Sequence, residues 1–393
     1  MACALIAAHA LLSALGTDAA VACAAAHAGL VRARALEGLE FISAVDGAPA
    51  PVIGHAVPLV TRGFEGDARL ERLLATALTD LRTRLPEALA GEPMALYLSM
   101  PSPTRTLTGA ALLADDDSRA ALAAELHEIE SEGPLNLDFA QKLAARAAAQ
   151  AGFGETLPLR RVSLAGHAGA AQCLAAALAD LERGEVRLAI VGGVDSLLDE
   201  ATIEWLNATQ RLKLSDMPVG LLPGEACALL ALARSDAPLA RGDAVALRHV
   251  GLAAEERTLL SGSTSVGIAL AEVLAGAAET AGWPHATSAW LIGDMNGEAW
   301  RANEWGHALV RLCGEHAALA DAQLWTPAES FGDTGAASAL LGACVALAAF
   351  ERRYAPQPRV VIASSSEAQL RSAIVLDSGL PMGALTGGVY GRP

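Results

Sequence analysis

The feature that most limits what this 393-residue chain can fold into is a unit that occurs twice. Residues 161–196 read RVSLAGHAGAAQCLAAALADLERGEVRLAIVGGVDS. The pattern predicts a short strand over Arg161–Ala165, then a glycine turn holding His167. A helix follows over Ala168–Arg183, stopped by Gly184, and a second apolar strand runs over Val186–Val191. That helix is apolar on nearly every side (Ala170, Ala171, Cys173, Leu174, Ala177, Leu178, Leu181), so it belongs inside a protein. Its first turn therefore presents His167 at the positive end of a buried dipole, where the cationic form is disfavoured and a neutral imidazole is expected.

The pattern returns 166 residues later: GHAGAA begins at Gly166 and GDTGAA at Gly332. The second copy opens a small-residue helix over 335–352 and leads into the strand RVVIASS at 359–365. A weaker echo pairs MALYLSMPS (94–102) with AWLIGDMN (289–296), each an apolar strand ending at a polar loop. Two halves of strand, turn, buried helix and strand imply an internal duplication about a pseudo-twofold axis, divided here as 1–235 and 236–393. Across such an axis the two helix starts face each other, which makes His167 and Asp333 neighbours.

The remaining pattern alternates strands and helices, the mark of a layered α/β architecture. A first strand is expected over 3–13, a Thr/Asp-capped helix over Thr17–Ala28, and an irregular stretch over 31–66. Apolar periodicity predicts a helix over Leu70–Leu81 and another over 138–151, with a polar helical region at 114–131 between them. A polar excursion (199–219) precedes GLLPGEACALLALAR (220–234), read as a turn and a buried strand. The second half starts near Asp236 with a strand over 244–253, a Ser/Thr-capped helix over 260–282, strands over 289–295 and 372–376, and a Gly/Pro-rich tail.

Composition closes off several functions. A net charge of −16 argues against nucleic acid or an anionic membrane surface, both of which need a basic face. The six cysteines show no CxxC or Cys/His ligand spacing, which fits buried small hydrophobes in a reducing compartment, with no metal or cofactor expected. The start, MACALIAAHALLSALG, lacks a basic n-region and no run reaches spanning length, so a cytoplasmic protein is expected.

Together the central unit, the GGVDS turn, the PGEACALLAL strand and the GDTGAA helix resemble β-ketoacyl synthases of the thiolase fold. The resemblance implies a duplicated five-layered αβαβα fold and a dimer built around the central unit. In the family, a Cys thiolate at the start of the first buried helix takes an acyl chain from a thioester, and two His assist decarboxylation and stabilise the oxyanion. The matching positions here carry other residues. Ala165–Gly166–His167 stands where the family has Ala-Cys, so His167 takes the nucleophile position. The first family His falls in GDMNGEAWRANEW (293–305), at Asn296, or at Asp294 if the loop is gapped; the second falls at Asp333. Ser366–Glu367–Ala368–Gln369 replaces the family's Gly-Phe-Gly-Gly loop, and Glu225 matches a Glu that is mostly structural there.

Each substitution has a plain structural reading beside the chemical one. An acyl-imidazole is labile, so His167 is a poor carrier; with Asp333 it makes half of a general-base device whose nucleophile is missing. Ser163 and Ser330 are near in sequence, but nothing in the sequence puts either within reach. Asp333 is also a good helix cap, and Asn296 or Asp294 a good turn residue. Cys173 sits on an apolar face and reads as core. Asp115–Asp117 reads as a solvated helix start, with no second ligand group for a metal. Trp300 and Trp305, at i and i+5, do not share one helix face, so a core role for one competes with a partner-facing role for both.

Three functions follow. The first is a catalytically degenerate ketosynthase-like subunit in fatty-acid or polyketide-type chain synthesis. It would be paired as a homodimer, or as a heterodimer with an active ketosynthase in the manner of a chain-length factor. The second is an acyl-thioester transferase or hydrolase using His167 with Asp333. The third is a module binding acyl-carrier protein or an acyl chain.

Overall fold

The structure is a computed structural model that describes residues 3–42, 47–89, 91–103, 105, 108, 110, 137–237, 244–284 and 287–380. Twelve strands are described: β1 Ala4–Ser13, β2 Arg34–Ile42, β3 Pro49–Gly54, β4 Met94–Ser99, β5 Leu159–Ser163, β6 Leu188–Ser196, β7 Glu225–Arg234, β8 Ala246–Ala254, β9 Trp290–Gly293, β10 Gln323–Trp325, β11 Arg359–Ser365 and β12 Leu370–Asp377. The longer helices are α1 Ala19–His27, α2 Gly66–Arg84, α3 Asp138–Gln150, α4 Gly169–Arg183, α5 Glu200–Ala208, α6 Ile268–Ala281, α7 Ala299–Leu312 and α8 Ser338–Glu351.

Ten strands form one sheet in the order β10-β9-β11-β12-β8-β1-β7-β6-β4-β5. Its two wings repeat each other. On one side β5 and β6 flank β4 in parallel, then β7 and β1 run antiparallel; on the other β10 and β11 flank β9 in parallel, then β12 and β8 run antiparallel. Among the described residues β1 and β8 pair at Ala4–Leu247 and Leu5–Ala246, and Ile6 N–H donates to the Val245 carbonyl at 2.9 Å. The helices α4 and α8 pack together between residues of the two wings.

Those two helices carry the central hydrophobic cluster: Leu174, Ala177 and Leu181 pack with Leu340, Cys344 and Leu347 against both wings. A second cluster joins α2 and α3 to the outer face of the first wing, and a third joins α6 and α7 to the outer face of the second. The order is helix, sheet, helix, sheet, helix, the five layers of the thiolase-like fold. Close approach depends on glycine at particular points. A Cβ on Gly193 of β6 would fall 2.6 Å from the Ala336 carbonyl at the start of α8. Gly184 ends α4 with φ 72°, and Glu185 N–H closes the turn on the Asp180 carbonyl at 2.9 Å.

The central expectations match in kind and shift by a few residues. The predicted strands at 161–165 and 186–191 are Leu159–Ser163 and Leu188–Ser196, while 359–365 is matched in full. Three readings need correction. Residues 31–66 are not irregular: β2 and β3 form a separate two-stranded sheet, hidden in the sequence because Leu36 and Phe41 are buried while Arg34, Glu37 and Glu40 are exposed without strict alternation. The helix expected over 260–282 begins only at Ile268, and its cap is Gly267 in the left-handed region, with no Ser/Thr side-chain cap. The polar stretch 199–219 contains α5, capped by Asp199 on Thr202 N–H. The predicted 114–131 helical region, Asp115–Asp117 and the tail beyond residue 380 lie outside the described residues. Among the described residues no helix is long and apolar enough to cross a membrane.

Candidate functional site

Both buried helices begin alike. A 3-10 turn, Gly166–Ala168, leads into α4, and another, Gly335–Ala337, leads into α8. Gly166 has φ 65° and Gly335 φ 50°, values that favour glycine and let each chain swing sharply from loop to helix. His167 therefore points inward from one half, while Asp333 stands just ahead of the other turn.

Asp333 is fixed by its backbone. Its N–H donates to the Leu222 carbonyl and its own carbonyl accepts from Gly224 N–H, both at 2.8 Å, so the 331–333 loop is stitched to the turn before β7. His167 Nε2 lies 2.8 Å from Asp333 Oδ1, and both side chains are buried. Oδ1 also accepts from Gly335 N–H at 2.8 Å, the helix-cap role expected of an Asp there. Oδ2 accepts from Asn296 Nδ2 at 2.5 Å. The three positions singled out in the sequence thus form one hydrogen-bonded set, and of the two loop alternatives it is Asn296 that joins it. Asp294 looks elsewhere: it holds Arg301, accepts from Trp305 Nε1 at 2.9 Å and from Ser365 N–H at 2.6 Å.

The set extends further than the sequence reading reached. Asn296 Nδ2 also donates to Glu298 Oε2 at 2.8 Å, and Glu298 grips Arg211, whose Nη2 donates to Glu367 Oε1 at 2.7 Å. Arg211 lies over the Trp205 ring at 4.7 Å. Ser366 accepts from Ala168 N–H at 3.1 Å and donates to the Ala165 carbonyl, which ties the loop after β11 directly to the His167 turn. Arg211 and Glu298 were unmarked in the sequence because each stands alone in its local pattern and their meeting depends on the topology. The one available signal was that Arg301, Glu304 and Arg371 sit at apolar-face positions of a helix and a strand; all three are fully buried.

Electrostatics run opposite to the expectation that His167 is held neutral. Burial alone would lower the imidazole pKa, but the Asp333 carboxylate outweighs it and the net direction is upward. Burial would likewise raise the Asp333 carboxyl, yet His167, Arg301 and Gly335 N–H hold it far below the carboxylate range. An ionised carboxylate only accepts, so Nε2 carries a proton toward Oδ1. The helix dipole, worth about 0.3–1 kcal/mol, loses to a buried contact ion pair. With its proton turned to Oδ1, Nε2 has no lone pair for proton abstraction or acyl attack.

Among the described residues no Ser or Cys side chain bonds His167. Ser163 gives its hydroxyl to Gln172 at 2.7 Å, Ser330 lies in the short helix Ala328–Phe331, and among the described residues neither bonds His167. Cys173 is buried in the central cluster and its thiol is pushed up to about 12 by burial. Glu225 is structural: fully buried, it accepts from Val57 N–H, Thr61, Arg69 and Ser196. Trp305 is core, while Trp300 is half-buried beneath Arg301 at 4.4 Å. Among the described residues no group of His, Cys, Asp and Glu side chains is arranged to hold a metal ion. The cavity against Asp333 and Asn296 measures about 20 Å³, room for one water and not for an acyl chain.

No family model matches the chain, and no curated protein sequence does. Solved structures match along nearly its whole length. The ishigamide ketosynthase/chain length factor aligns at 18% identity over 95% of this chain and 99% of that one, with a TM-score of 0.64. AntDE:AntF, a type II PKS acyl-carrier protein in complex with its ketosynthase, aligns at 14% identity over 95% and 99%, with a TM-score of 0.72. The ketosynthase ApeO in complex with its chain length factor ApeC, from Xenorhabdus doucetiae, aligns at 17% identity over 95% and 98%, with a TM-score of 0.66. At these identities the likeness establishes the fold: this chain has the thiolase-like ketosynthase architecture.

Proposed function

We propose that this chain is a catalytically silent ketosynthase-like subunit that works by pairing with an active, thiol-bearing ketosynthase, as a chain-length factor does, in acyl chain synthesis of the fatty-acid or polyketide type. The observation that carries the reading is the buried His167–Asp333 contact at 2.8 Å, which occupies the helix start that the sequence resemblance matches to the ketosynthase nucleophile. In this reading His167, Asp333 and Asn296 occupy the three catalytic positions of the family and hold the two halves, 1–235 and 236–393, in register without doing chemistry. Acyl-carrier protein is the partner expected of the assembled complex, and the cytoplasm is its place. No cofactor takes part.

A dimer is favoured by β5, which ends the ten-stranded sheet; among the described residues nothing pairs with its outer edge. An unpaired edge is a template for another strand. Pairing there would add the surfaces around the central unit to an interface on the order of 2,000 Å². The hydrolase or transferase alternative is disfavoured by His167 Nε2 being taken up by Asp333 and by the lack, among the described residues, of a nucleophile bonded to His167. Co-expression with a ketosynthase that carries Cys at the matching helix start tests the proposal. A stable one-to-one complex on size-exclusion chromatography supports it, whereas a self-associated chain that excludes every such ketosynthase refutes the heterodimer.

A further inference from the structure

We propose that the hollow between the β2–β3 hairpin and residues 58–69 binds a linear aliphatic chain carrying an uncharged polar head, of the fatty-amide class. The inference is independent of the subunit reading, since the hollow shares no residue with the His167 site.

Space is the first argument. The hollow measures about 400 Å³, against about 20 Å³ beside Asp333. At ≈30 Å³ per water it has room for about a dozen water-sized groups, within the usual range for small-molecule pockets. Its shape comes from an irregularity in the hairpin. The β2–β3 pairing breaks between Ala35 and Glu40, and Gly38 at φ 79° carries the chain through the break. Leu36 and Leu39 then line the hollow, facing Pro58 and Phe64. That apolar lining suits an aliphatic chain.

Charge selects the head. Arg34, Arg62 and Arg69 border the hollow together with Glu37 and Glu65. Arg69 is clamped from behind by fully buried Glu225, with Nε to Oε2 at 2.6 Å and Nη2 to Oε1 at 3.1 Å, so its charge is already spent. Arg62 and Glu37 stand 3.8 Å apart, both exposed. Cations and carboxylates therefore balance, leaving no net field to hold an ion, and the chain's overall −16 repels a carboxylate. The rim still offers both donors and acceptors. Arg34 spends one N–H on a long 3.5 Å contact to the Ala56 carbonyl, and among the described residues Glu65 forms no ion pair. An amide, which donates and accepts without charge, matches that rim.

Calorimetric titration of the full chain with decanamide and with decanoate tests the proposal. The expected result is saturable decanamide binding with a negative heat-capacity change, and at least tenfold weaker binding of decanoate. Leu39→Trp, which fills the hollow, should weaken decanamide at least tenfold. Ala56→Phe serves the same purpose if Leu39→Trp does not fold. Leu59→Asp, at a 91% exposed residue outside the lining, should leave binding unchanged. Absence of decanamide binding, or an unchanged affinity in the folded filling variants, overturns the site. Equal affinity for decanoate overturns the uncharged head. Complex formation with a ketosynthase should be indifferent to all of these variants, so the two proposals fail separately.

Discussion

Changing Asp333 to Asn removes the charge facing His167, and it also turns an amide NH2 toward Asn296 Nδ2, which donates to Oδ2 at 2.5 Å in the wild type, a loss that does not vary with pH. Asparagine keeps an oxygen for Gly335 N–H, so the turn before α8 retains its cap, but the charge facing His167 is gone. Removing one partner of a buried pair costs about 3–5 kcal/mol, because the other charge is left without compensation. With a urea m-value of about 3 kcal/mol/M, the unfolding midpoint should drop by more than about 1 M. The pH dependence is the sharper test. His167 has a folded pKa above its unfolded value of 6.5, so its share of the stabilisation is complete below 6.5 and is lost as pH rises through the folded pKa. Asp333 has a folded pKa far below 3.8, so its share is complete above 3.8 and lost as pH falls. The difference between wild type and Asp333→Asn should therefore be greatest between about pH 4 and 6.5 and shrink in alkali. Urea melts at pH 6 and pH 9 measure it. A difference that stays constant, or grows toward pH 9, refutes the charged pair.

Other variants read other parts of the structure. His167→Cys restores the family's thiol but sets it beside the buried Asp333 carboxylate, so the thiolate is disfavoured; iodoacetamide at pH 7.5 should label residue 167 no faster than an ordinary buried thiol. Glu225→Gln removes the charge that anchors Arg69 and should cost about 3–5 kcal/mol in urea unfolding. His55 is fully buried with both ring nitrogens unpartnered, and burial lowers its pKa to about 4. Its unfolded state takes up protons first below 6.5, so stability should fall between pH 6.5 and pH 4 by up to about 3 kcal/mol. His55→Phe should flatten that acid limb without lowering stability at pH 8.

Much of the fold was legible because the duplication repeats a rare combination: a glycine turn followed by a helix with no polar face. That pattern requires a buried helix, and two of them require a shared interior, which is why His167 and Asp333 could be paired before their distance was known. What the sequence hid was of two kinds. The β2–β3 hairpin lacks a clean alternation, since Gly38 and the break after Ala35 take its residues out of register. The charge state of His167 depends on Arg301, Asp333 and the depth of burial together, and no local rule sums them; the dipole argument counted one contribution and missed the larger one. Glu298 and Arg211, 87 residues apart, meet only because the loop after β9 folds back over the segment after α5.

The proposed reading puts His167, held against Asp333 at 2.8 Å, at the position of a ketosynthase's thiol. Intact-protein mass spectrometry after incubation with a long-chain acyl thioester tests this most directly. The mass should remain that of the free chain at every time point and pH, with an active ketosynthase acylated in parallel. A stable acyl adduct on this chain, lost in His167→Ala, would contradict it.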